Sequence, residues 1–279
     1  MAATLITGAS SGIGRALAVD LARTRHDLVL VGRDEKALAS AREDCLRAGS
    51  PEVWGLAFDL ALPDSSARVQ AALAEKGIQV EILINNAGIG VHGEFADTAL
   101  ERELELVHVQ IDTMLALTKA LLPGMLARGM GRILNVSSVY SFAPVSRQAV
   151  YGASKAFMLS FSEALAYELK GSGVTVTVLC PGSTKTDFRR RSGVDTTGGM
   201  DPAVVARFGI AAMEAGRFLA VPGLHNVLFT IVMKHLPHSL RAPLMQFINA
   251  RRGLYSKSSD ARVLDSGTPG PDPRHKPDR

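Results

Sequence analysis

The chain has little cysteine, few aromatic side chains and no long hydrophobic run. Its 279 residues include two cysteines, one tryptophan and 5% aromatic residues. Cys45 and Cys180 give neither a disulfide framework nor a metal-ligand spacing, so the sequence predicts a reducing compartment and no metal site. No apolar run approaches the ~18 residues that a membrane-spanning helix requires. These absences exclude disulfide-rich scaffolds, cysteine-ligated metal sites and membrane-spanning helices.

The basic residues are spread along the chain. The formal net charge is +4, and the basic residues are not bunched with aromatic ones, so we expect no nucleic-acid partner. With 47% hydrophobic and 21% charged residues, the composition is that of a globular protein with a large core. The first residues lack the charge and length of a signal peptide, and we therefore expect a cytoplasmic protein.

Short apolar runs alternate with longer stretches of helical period. The runs are Thr4–Thr7, Leu28–Val31, Val53–Phe58, Ile82–Ile84, Arg132–Val136, Val174–Cys180 and Phe218–Val221, and the stretches between the earlier ones include Ile13–Thr24, Glu35–Ala48, Pro63–Lys76 and Leu100–Arg128. Strands that are apolar on both faces and separated by helices predict a doubly wound parallel α/β sheet. Ligands of such sheets bind beyond the carboxyl ends of the strands.

A glycine-rich turn follows the first predicted strand and opens the first predicted helix. It reads Thr7-Gly-Ala-Ser-Ser-Gly-Ile-Gly14. Glycines at this place allow a tight turn and a close backbone approach, while the helix N-terminus faces an anionic pyrophosphate. The turn therefore predicts a nucleotide site with contacts from Gly8, Ser10, Ser11, Gly12, Ile13 and Gly14.

Tyr151 and Lys155 are four residues apart, which places both side chains on one face of a helix. A free tyrosine has a pKa near 10, and an ammonium ~4 Å away would lower that pKa by roughly three units at an effective dielectric of ~20. Ser138, at the end of a predicted strand, would offer a hydroxyl to the same substrate oxygen. The pattern favours an acid/base catalyst, although an isolated Tyr-x-x-x-Lys pair is also typical of a helix surface.

Five motifs together resemble the short-chain dehydrogenase/reductase family over about residues 3 to 220. They are Thr7–Gly14, Asn85-Asn-Ala-Gly88, Ser138, Tyr151–Lys155, and Pro181-Gly182 with Thr186. The resemblance implies a Rossmann-type sheet of about seven parallel strands, a nicotinamide cofactor, and hydride transfer to or from a carbonyl or alcohol. It further implies that Tyr151 and Lys155 contact the cofactor, and that the other contacts come from Asp59, Leu60, Asn86, Ala87, Gly88, Pro181, Gly182, Thr184 and Thr186.

The end of the second strand decides which nicotinamide cofactor is preferred. A carboxylate there would accept hydrogen bonds from the ribose hydroxyls of NAD and repel a 2′-phosphate. The chain instead has Gly32, which leaves space, and Arg33, whose planar guanidinium suits a phosphate, while Arg15 lies nearby in sequence. We therefore predict NADP(H) over NAD(H). Asp34 could oppose this, but a helix cap is its expected role.

One position departs from the family pattern. The family usually has an asparagine within the long fourth helix, where it completes a proton relay with the serine, tyrosine and lysine. The resemblance places Gln110 there, and no asparagine occurs between Asn86 and Asn135. The departure concerns the relay rather than the chemistry of Tyr151 and Lys155, and we count Gln110 among the candidate catalytic residues.

The chain divides into three predicted segments. Residues 1–222 form the dinucleotide-binding and catalytic domain, residues 223–255 form a helical extension of it, and residues 256–279 form a disordered tail rich in Ser, Gly, Pro and Asp. Between Phe188 and Gly199 we expect a substrate lid, in which Arg189–Arg191 either steer an anionic substrate or remain solvated. The basic extension either closes the substrate side, forms a subunit contact, or rests on a membrane surface.

Two functions remain open at this point. The first is an NADP(H)-dependent carbonyl reductase or alcohol dehydrogenase that acts on a small molecule, with Tyr151 as the acid/base, and that assembles as a homodimer or homotetramer, as the family resemblance implies. The second is a catalytically weak NADP(H)-binding regulatory or scaffold protein, and Gln110 is its only support in the sequence. An intact set of Ser138, Tyr151 and Lys155 favours the enzyme.

Overall fold

The structure is a computed structural model that describes residues 1–188 and 198–251. The predicted lid arginines, Arg189–Arg191, and the whole of the predicted tail lie outside the described residues.

Seven parallel strands form one sheet in the order β3-β2-β1-β4-β5-β6-β7. The strands are β1 (Ala2–Thr7), β2 (Leu28–Gly32), β3 (Val53–Ala57), β4 (Gln79–Asn85), β5 (Gly131–Val136), β6 (Val174–Leu179) and β7 (Leu219–Ala220). The strand order reverses direction between β1 and β4, which is the switch point at which such sheets bind ligands. The predicted doubly wound parallel sheet of about seven strands is therefore confirmed.

Helices cover both faces of the sheet. They are α1 (Gly12–Arg23), α2 (Glu35–Ala48), α3 (Ser65–Glu75), α4 (Leu100–Val107), α5 (Thr113–Arg128), α6 (Ala149–Glu168), α7 (Pro202–Glu214), α8 (Leu224–His235) and α9 (His238–Arg251). Neighbouring residues of β1 show why the strands are apolar throughout. Leu5 packs into the core under α3, α5 and α6, and Ile6 packs into the core under α1, α2 and α7. Full burial of such a side chain stabilises the fold by roughly 1.5–3 kcal/mol.

The predicted long helix Leu100–Arg128 is present but is not regular. Helices α4 and α5 are joined without a break by a π-helical turn over His108–Asp112. A π turn is rare and often marks a functional site, because it widens the helix and redirects one side chain. Gln110 is the central residue of this turn.

Helices α8 and α9 follow the last strand and pack beside the carboxyl end of the sheet. Their inner residues form a separate small core with the segment after β5, in which Met233 and Met245 contact Ala143 and Val145. Among residues 1–188 and 198–251, no helix combines the length and the apolar character needed to cross a membrane.

Candidate active site

A cavity of about 1120 Å³ runs along the carboxyl ends of the strands. Most residues predicted from the sequence line it. They are Gly8, Ser10, Ser11, Gly12, Ile13, Arg33, Asp59, Leu60, Asn86, Ala87, Gly88, Ser138, Tyr151, Lys155, Pro181, Gly182, Thr184 and Thr186. Two predicted residues, Gly14 and Gln110, do not line the cavity but pack behind Gly8 and Gly88.

The glycine-rich turn connects β1 to α1 with backbone conformations that suit glycine. Gly8 has φ of 66° and Gly12 has φ of 56°, in the left-handed region. Gly14 serves packing instead, because a Cβ there would lie 2.2 Å from the carbonyl oxygen of Gly8. The first turn of α1 carries no acidic side chain, so its N-terminus presents positive potential to the cavity.

Thr7 and Asn86 fix the turn to the end of β4. The Thr7 hydroxyl accepts hydrogen bonds from the backbone N–H groups of Asn86 and Ala87, each at 3.0 Å. The Asn86 side chain donates from Nδ2 to the carbonyl oxygens of Thr7 at 2.9 Å and Gly8 at 3.1 Å. The two strands at the switch point thus hold the turn rigidly, as an anion-binding backbone requires.

At the end of β2 the cavity meets charged side chains from α4. Arg33 pairs with Glu105 at 3.5 Å between Nη1 and Oε1, and Arg102 also pairs with Glu105. Arg102 was not predicted from the sequence, because arginine and glutamate three residues apart on a helix indicate only a surface ion pair. Arg15, expected nearby, instead donates from Nε to Asp44 of α2 at 2.9 Å and does not line the cavity.

Asp34 takes the role expected of a helix cap. Its Oδ1 accepts from the backbone N–H of Ala37 at 2.9 Å at the start of α2. Because Asp34 is occupied in this way and does not line the cavity, Arg33 is the charged residue that the end of β2 presents there.

Ser138, Tyr151 and Lys155 converge at the centre of the cavity. Tyr151 and Lys155 lie near the start of α6, where the four-residue spacing brings Lys155 Nζ to 5.6 Å from the centroid of the Tyr151 ring. The Lys155 ammonium donates to the carbonyl oxygen of Val136 at 3.1 Å, which fixes it under the end of β5. Ser138 follows that strand, and its hydroxyl accepts from the backbone N–H of Tyr140 at 3.1 Å.

Burial dominates the acid–base properties of this trio. It raises the pKa of the Tyr151 phenol well above the ordinary value, Tyr140 raises that pKa further, and the hydrogen bond from Ser138 lowers it. Burial also lowers the pKa of the Lys155 ammonium to about 8, with Cys180 acting in the opposite direction. The expected lowering of the tyrosine pKa by the lysine is therefore not met, because desolvation is the largest influence on this pKa and raises it. Tyr151 therefore keeps its proton at neutral pH.

A buried polar chain positions α6 against the sheet. Asn85 donates from Nδ2 to Asn135 Oδ1 at 2.8 Å, Asn135 donates from Nδ2 to the Ser162 hydroxyl at 2.8 Å, and Ser162 donates to the Met158 carbonyl at 2.6 Å. Such a chain restricts the helix to one register. It therefore restricts where Tyr151 can lie relative to the end of β5.

Gln110 is fully buried, and its amide is anchored at one end only. Nε2 donates to the carbonyl oxygen of Ile89 at 3.0 Å. Oε1 has no hydrogen-bond partner among the described residues and lies 3.4 Å from the place where a Cβ of Gly88 would be. The π turn thus directs Gln110 toward the loop after β4.

The loop after β6 closes the other side of the cavity. Thr186 packs over the glycine-rich turn, with Cγ2 3.0 Å from the place of a Gly12 Cβ. Asn226 of α8 supports the loop from behind, because its Oδ1 lies 2.4 Å from where a Gly182 Cβ would be. Only a glycine fits at position 182 with this packing.

The far end of the cavity is apolar, and the sequence analysis did not identify most of it. Phe188 lies 5.8 Å from Tyr151 between ring centroids, and Tyr140 lies 6.4 Å from it. The rest of this wall comes from Phe229 of α8 and from Met245 and Ile248 of α9, and the long side chain of Arg251 at the end of α9 also reaches the cavity. No local motif marks these side chains, because only the packing of α8 and α9 brings them to the cavity.

The fold, the glycine-rich turn and the Ser138, Tyr151 and Lys155 trio together define a dinucleotide-dependent oxidoreductase. Residues 2–196 match the family model described as short chain dehydrogenase. The chain belongs to this family, and it is an oxidoreductase of that family.

Two curated relatives illustrate the similarity. The ketoacyl reductase HetN of Nostoc sp. is 34% identical over 211 residues, which cover 72% of this chain and 73% of that protein. A dehydrogenase/reductase SDR family protein 7-like of Drosophila melanogaster is 38% identical over 193 residues, which cover 66% of this chain but only 57% of that protein.

Solved structures of related proteins agree in fold and differ in cofactor. A short-chain dehydrogenase from Sphingobium yanoikuyae in complex with NADPH is 32% identical, with a TM-score of 0.76, and the match covers 95% of this chain and 99% of that one. A short-chain dehydrogenase/reductase from Burkholderia phymatum in complex with NAD is 26% identical, with a TM-score of 0.75. The match covers 82% of this chain and 92% of that one.

Proposed function

We propose that this protein is an NADPH-dependent carbonyl reductase for apolar ketones or acyl-type carbonyl compounds. The observation that carries the proposal is the convergence of Ser138, Tyr151 and Lys155 at the centre of one cavity, between the glycine-rich turn and an apolar wall. The turn would bind the cofactor, and the wall would bind the substrate.

The residues present fit a dinucleotide. Gly8 and Gly12 leave the backbone open beside the N-terminus of α1, where a pyrophosphate is bound favourably. Asp59 and Leu60 follow β3 and would contact the adenine, while Asn86, Ala87 and Gly88 follow β4 and would contact the ribose. Pro181, Gly182, Thr184 and Thr186 would cover the nicotinamide from the loop after β6. The bound cofactor would supply the hydride for the carbonyl carbon.

The chain's own catalytic part is to bind and protonate the carbonyl oxygen. The hydroxyls of Ser138 and Tyr151 would donate hydrogen bonds to that oxygen, and Tyr151 would transfer its proton as the hydride arrives. Lys155 would hold the cofactor ribose and stabilise the phenolate by its charge, which it keeps below a pH of about 8. Because burial raises the pKa of the Tyr151 phenol, this group carries its proton at neutral pH and can donate it.

Arg33 and Arg102 support the preference for NADPH over NADH. Both guanidinium groups line the cavity at the end of β2, both are about half exposed, and they share a single carboxylate, Glu105. Two cations paired with one anion leave a net positive charge, to which a 2′-phosphate would be attracted. Gly32 leaves room for the group beside Ser10.

The apolar wall supports the substrate class. Phe188, Phe229, Met245 and Ile248 line the side of the cavity beyond Tyr151, and α8 and α9 contribute no carboxylate to it. An apolar body next to a carbonyl group would bury against these side chains at roughly 25 cal/mol per Å².

The experiment measures NADPH oxidation by the purified full chain against a panel of aldehydes, ketones and 3-oxoacyl thioesters, with NADH in parallel. We expect turnover with NADPH that Tyr151→Phe abolishes while NADPH binding persists. Tyr140→Phe is the matched control, because its ring contacts Tyr151 and its hydroxyl has no proposed role, so it should retain turnover. Tight NADPH binding without turnover on any substrate would instead support a regulatory binding protein.

A further inference from the structure

Helices α8 and α9 expose an unusual amount of apolar surface. On α8, Leu224, Leu228 and Ile231 recur at helical spacing opposite the buried residues of the helix, and they are 89%, 63% and 52% exposed. On α9, Leu240 and Phe247 are 52% and 54% exposed. We call these five side chains the α8–α9 apolar stripe. Their inner neighbours line the cavity, so the stripe lies on the outside of the substrate wall.

The charges carried by α8 and α9 have one sign. The sequence has no Asp or Glu between Glu214 and Asp260. Over α8 and α9 the ionised side chains are Lys234, Arg241 and Arg251, and among residues 1–188 and 198–251 none of the three forms an ion pair. Arg241 caps α8 through the carbonyls of Leu236 and Lys234.

Arg251 brings a positive charge into contact with the α8–α9 apolar stripe. Its guanidinium lies 4.4 Å from the centroid of the Phe247 ring, so a cation and an exposed aromatic ring share one spot at the end of α9. Aromatic rings and long cationic side chains side by side are typical of helices that lie in the interface of an anionic bilayer.

We propose that the α8–α9 apolar stripe docks the protein on an anionic phospholipid surface. Leu224, Leu228 and Ile231 enter the boundary between headgroups and acyl chains, and Lys234 and Arg251 contact the lipid phosphates. A second copy of the chain fits this surface less well, because a twofold contact would bring together two pairs of helices that carry positive charges and no carboxylates. Docking in this way places the wall of the cavity next to the bilayer, from which an apolar substrate enters.

The test is flotation of the purified full chain with vesicles. The probes are vesicles of phosphatidylcholine alone and of equimolar phosphatidylcholine and phosphatidylserine, at low and high salt. We expect binding to the anionic vesicles only, weakened by salt because the lipid charge is screened. We also expect the double variant Leu228→Glu with Ile231→Glu to lower the partition coefficient at least about tenfold, since a carboxylate is repelled by the lipid and costly to bury.

A matched control separates this surface from apolar exposure in general. Leu46 is 37% exposed on α2, far along the sequence from the stripe, and Leu46→Glu should float like the wild type. Lys234→Glu should weaken binding to anionic vesicles without changing the apolar contact. Far-UV circular dichroism and NADPH binding check that each variant is folded.

Three results would overturn the proposal. One is a wild-type chain that does not float with anionic vesicles, and another is a double variant that floats as well as the wild type. The third is a wild-type oligomer that dissociates in lipid-free buffer when Leu228 and Ile231 carry glutamate, because the stripe would then be a subunit contact. Analytical ultracentrifugation of both proteins gives that answer.

Discussion

Gln110 donates a hydrogen bond of 3.0 Å to the carbonyl oxygen of Ile89, across the gap between the long α4–α5 helix and the loop after β4. This bond connects the π turn to the segment Asn86–Gly88, which lines the cavity. The other end of the amide, Oε1, is buried and has no partner among the described residues. A buried acceptor of this kind costs free energy unless a water or a ligand group satisfies it.

We predict that Gln110→Leu lowers kcat by roughly ten- to a hundredfold, less than the ~100- to 10,000-fold that a group transferring the proton contributes, because Gln110 would only support such a group. Leucine preserves most of the volume but removes both ends of the amide, so the Ile89 carbonyl also loses its donor. Steady-state kinetics across pH give the measurement, because a group that supports proton transfer changes the pH profile as well as the rate.

Gln110→Asn is the control for that prediction. Asparagine keeps the amide but is one methylene shorter, and we expect it to retain more turnover than leucine. A Gln110→Leu variant with an unchanged kcat and pH profile would contradict a role in proton transfer and leave only the structural bond to Ile89.

Replacing Arg33 with aspartate is expected to shift the cofactor preference toward NADH. The change removes a cation that faces the proposed 2′-phosphate and adds a carboxylate suited to ribose hydroxyls. One charge-assisted hydrogen bond contributes roughly 1.5–3 kcal/mol, which corresponds to a change in the ratio of kcat/KM of about 10- to 100-fold. Arg23→Asp, at an exposed arginine in the last turn of α1, is the matched control. If Arg33→Asp and Arg23→Asp had the same ratio of kcat/KM for NADPH over NADH, Arg33 would not be the residue that selects the cofactor.

Glu105→Gln tests the same site from the opposite direction. Glu105 pairs with both Arg33 and Arg102, and the amide would release both guanidinium groups from a competing anion. We expect tighter NADPH binding and unchanged NADH binding, measured by titration of cofactor fluorescence. Weaker NADPH binding would mean that Glu105 positions the arginines rather than competing for them.

Stability should fall as the pH rises above about 9, and Cys45 should account for part of that fall. Burial raises the pKa of the Cys45 thiol from 9.0 to about 11, so the unfolded chain loses this proton first. The stabilisation is complete below pH 9 and is lost as the pH approaches 11.

Cys45→Ala should therefore flatten the dependence of unfolding free energy on pH in this window. Urea unfolding at several pH values measures the slope of unfolding free energy against pH. This slope does not depend on the lost packing of the sulfur atom, which lowers the stability of the variant equally at every pH. If the unfolding free energy of wild type and variant had the same slope against pH, burial would not protect the thiol from ionisation.

The sequence by itself determined the parts of the site that depend on local rules. Glycine at positions 8 and 12 is required by backbone conformation, and the four-residue spacing of Tyr151 and Lys155 sets their common helix face. Apolar runs with no polar alternation predicted a sheet covered on both faces, which the packing of Leu5 and Ile6 confirms. Each of these signals lies within a few residues of the chain.

The tertiary structure decided what depends on distant segments. Arg15 and Arg102 are equally basic in sequence, yet only Arg102 lines the cavity, because Asp44 of α2 holds Arg15 away. Burial raised the pKa of Tyr151 instead of the lysine lowering it, and the π turn aimed Gln110 at Ile89. Desolvation, ion pairing and helix irregularity depend on which chain segments pack together, and residue spacing does not carry that information.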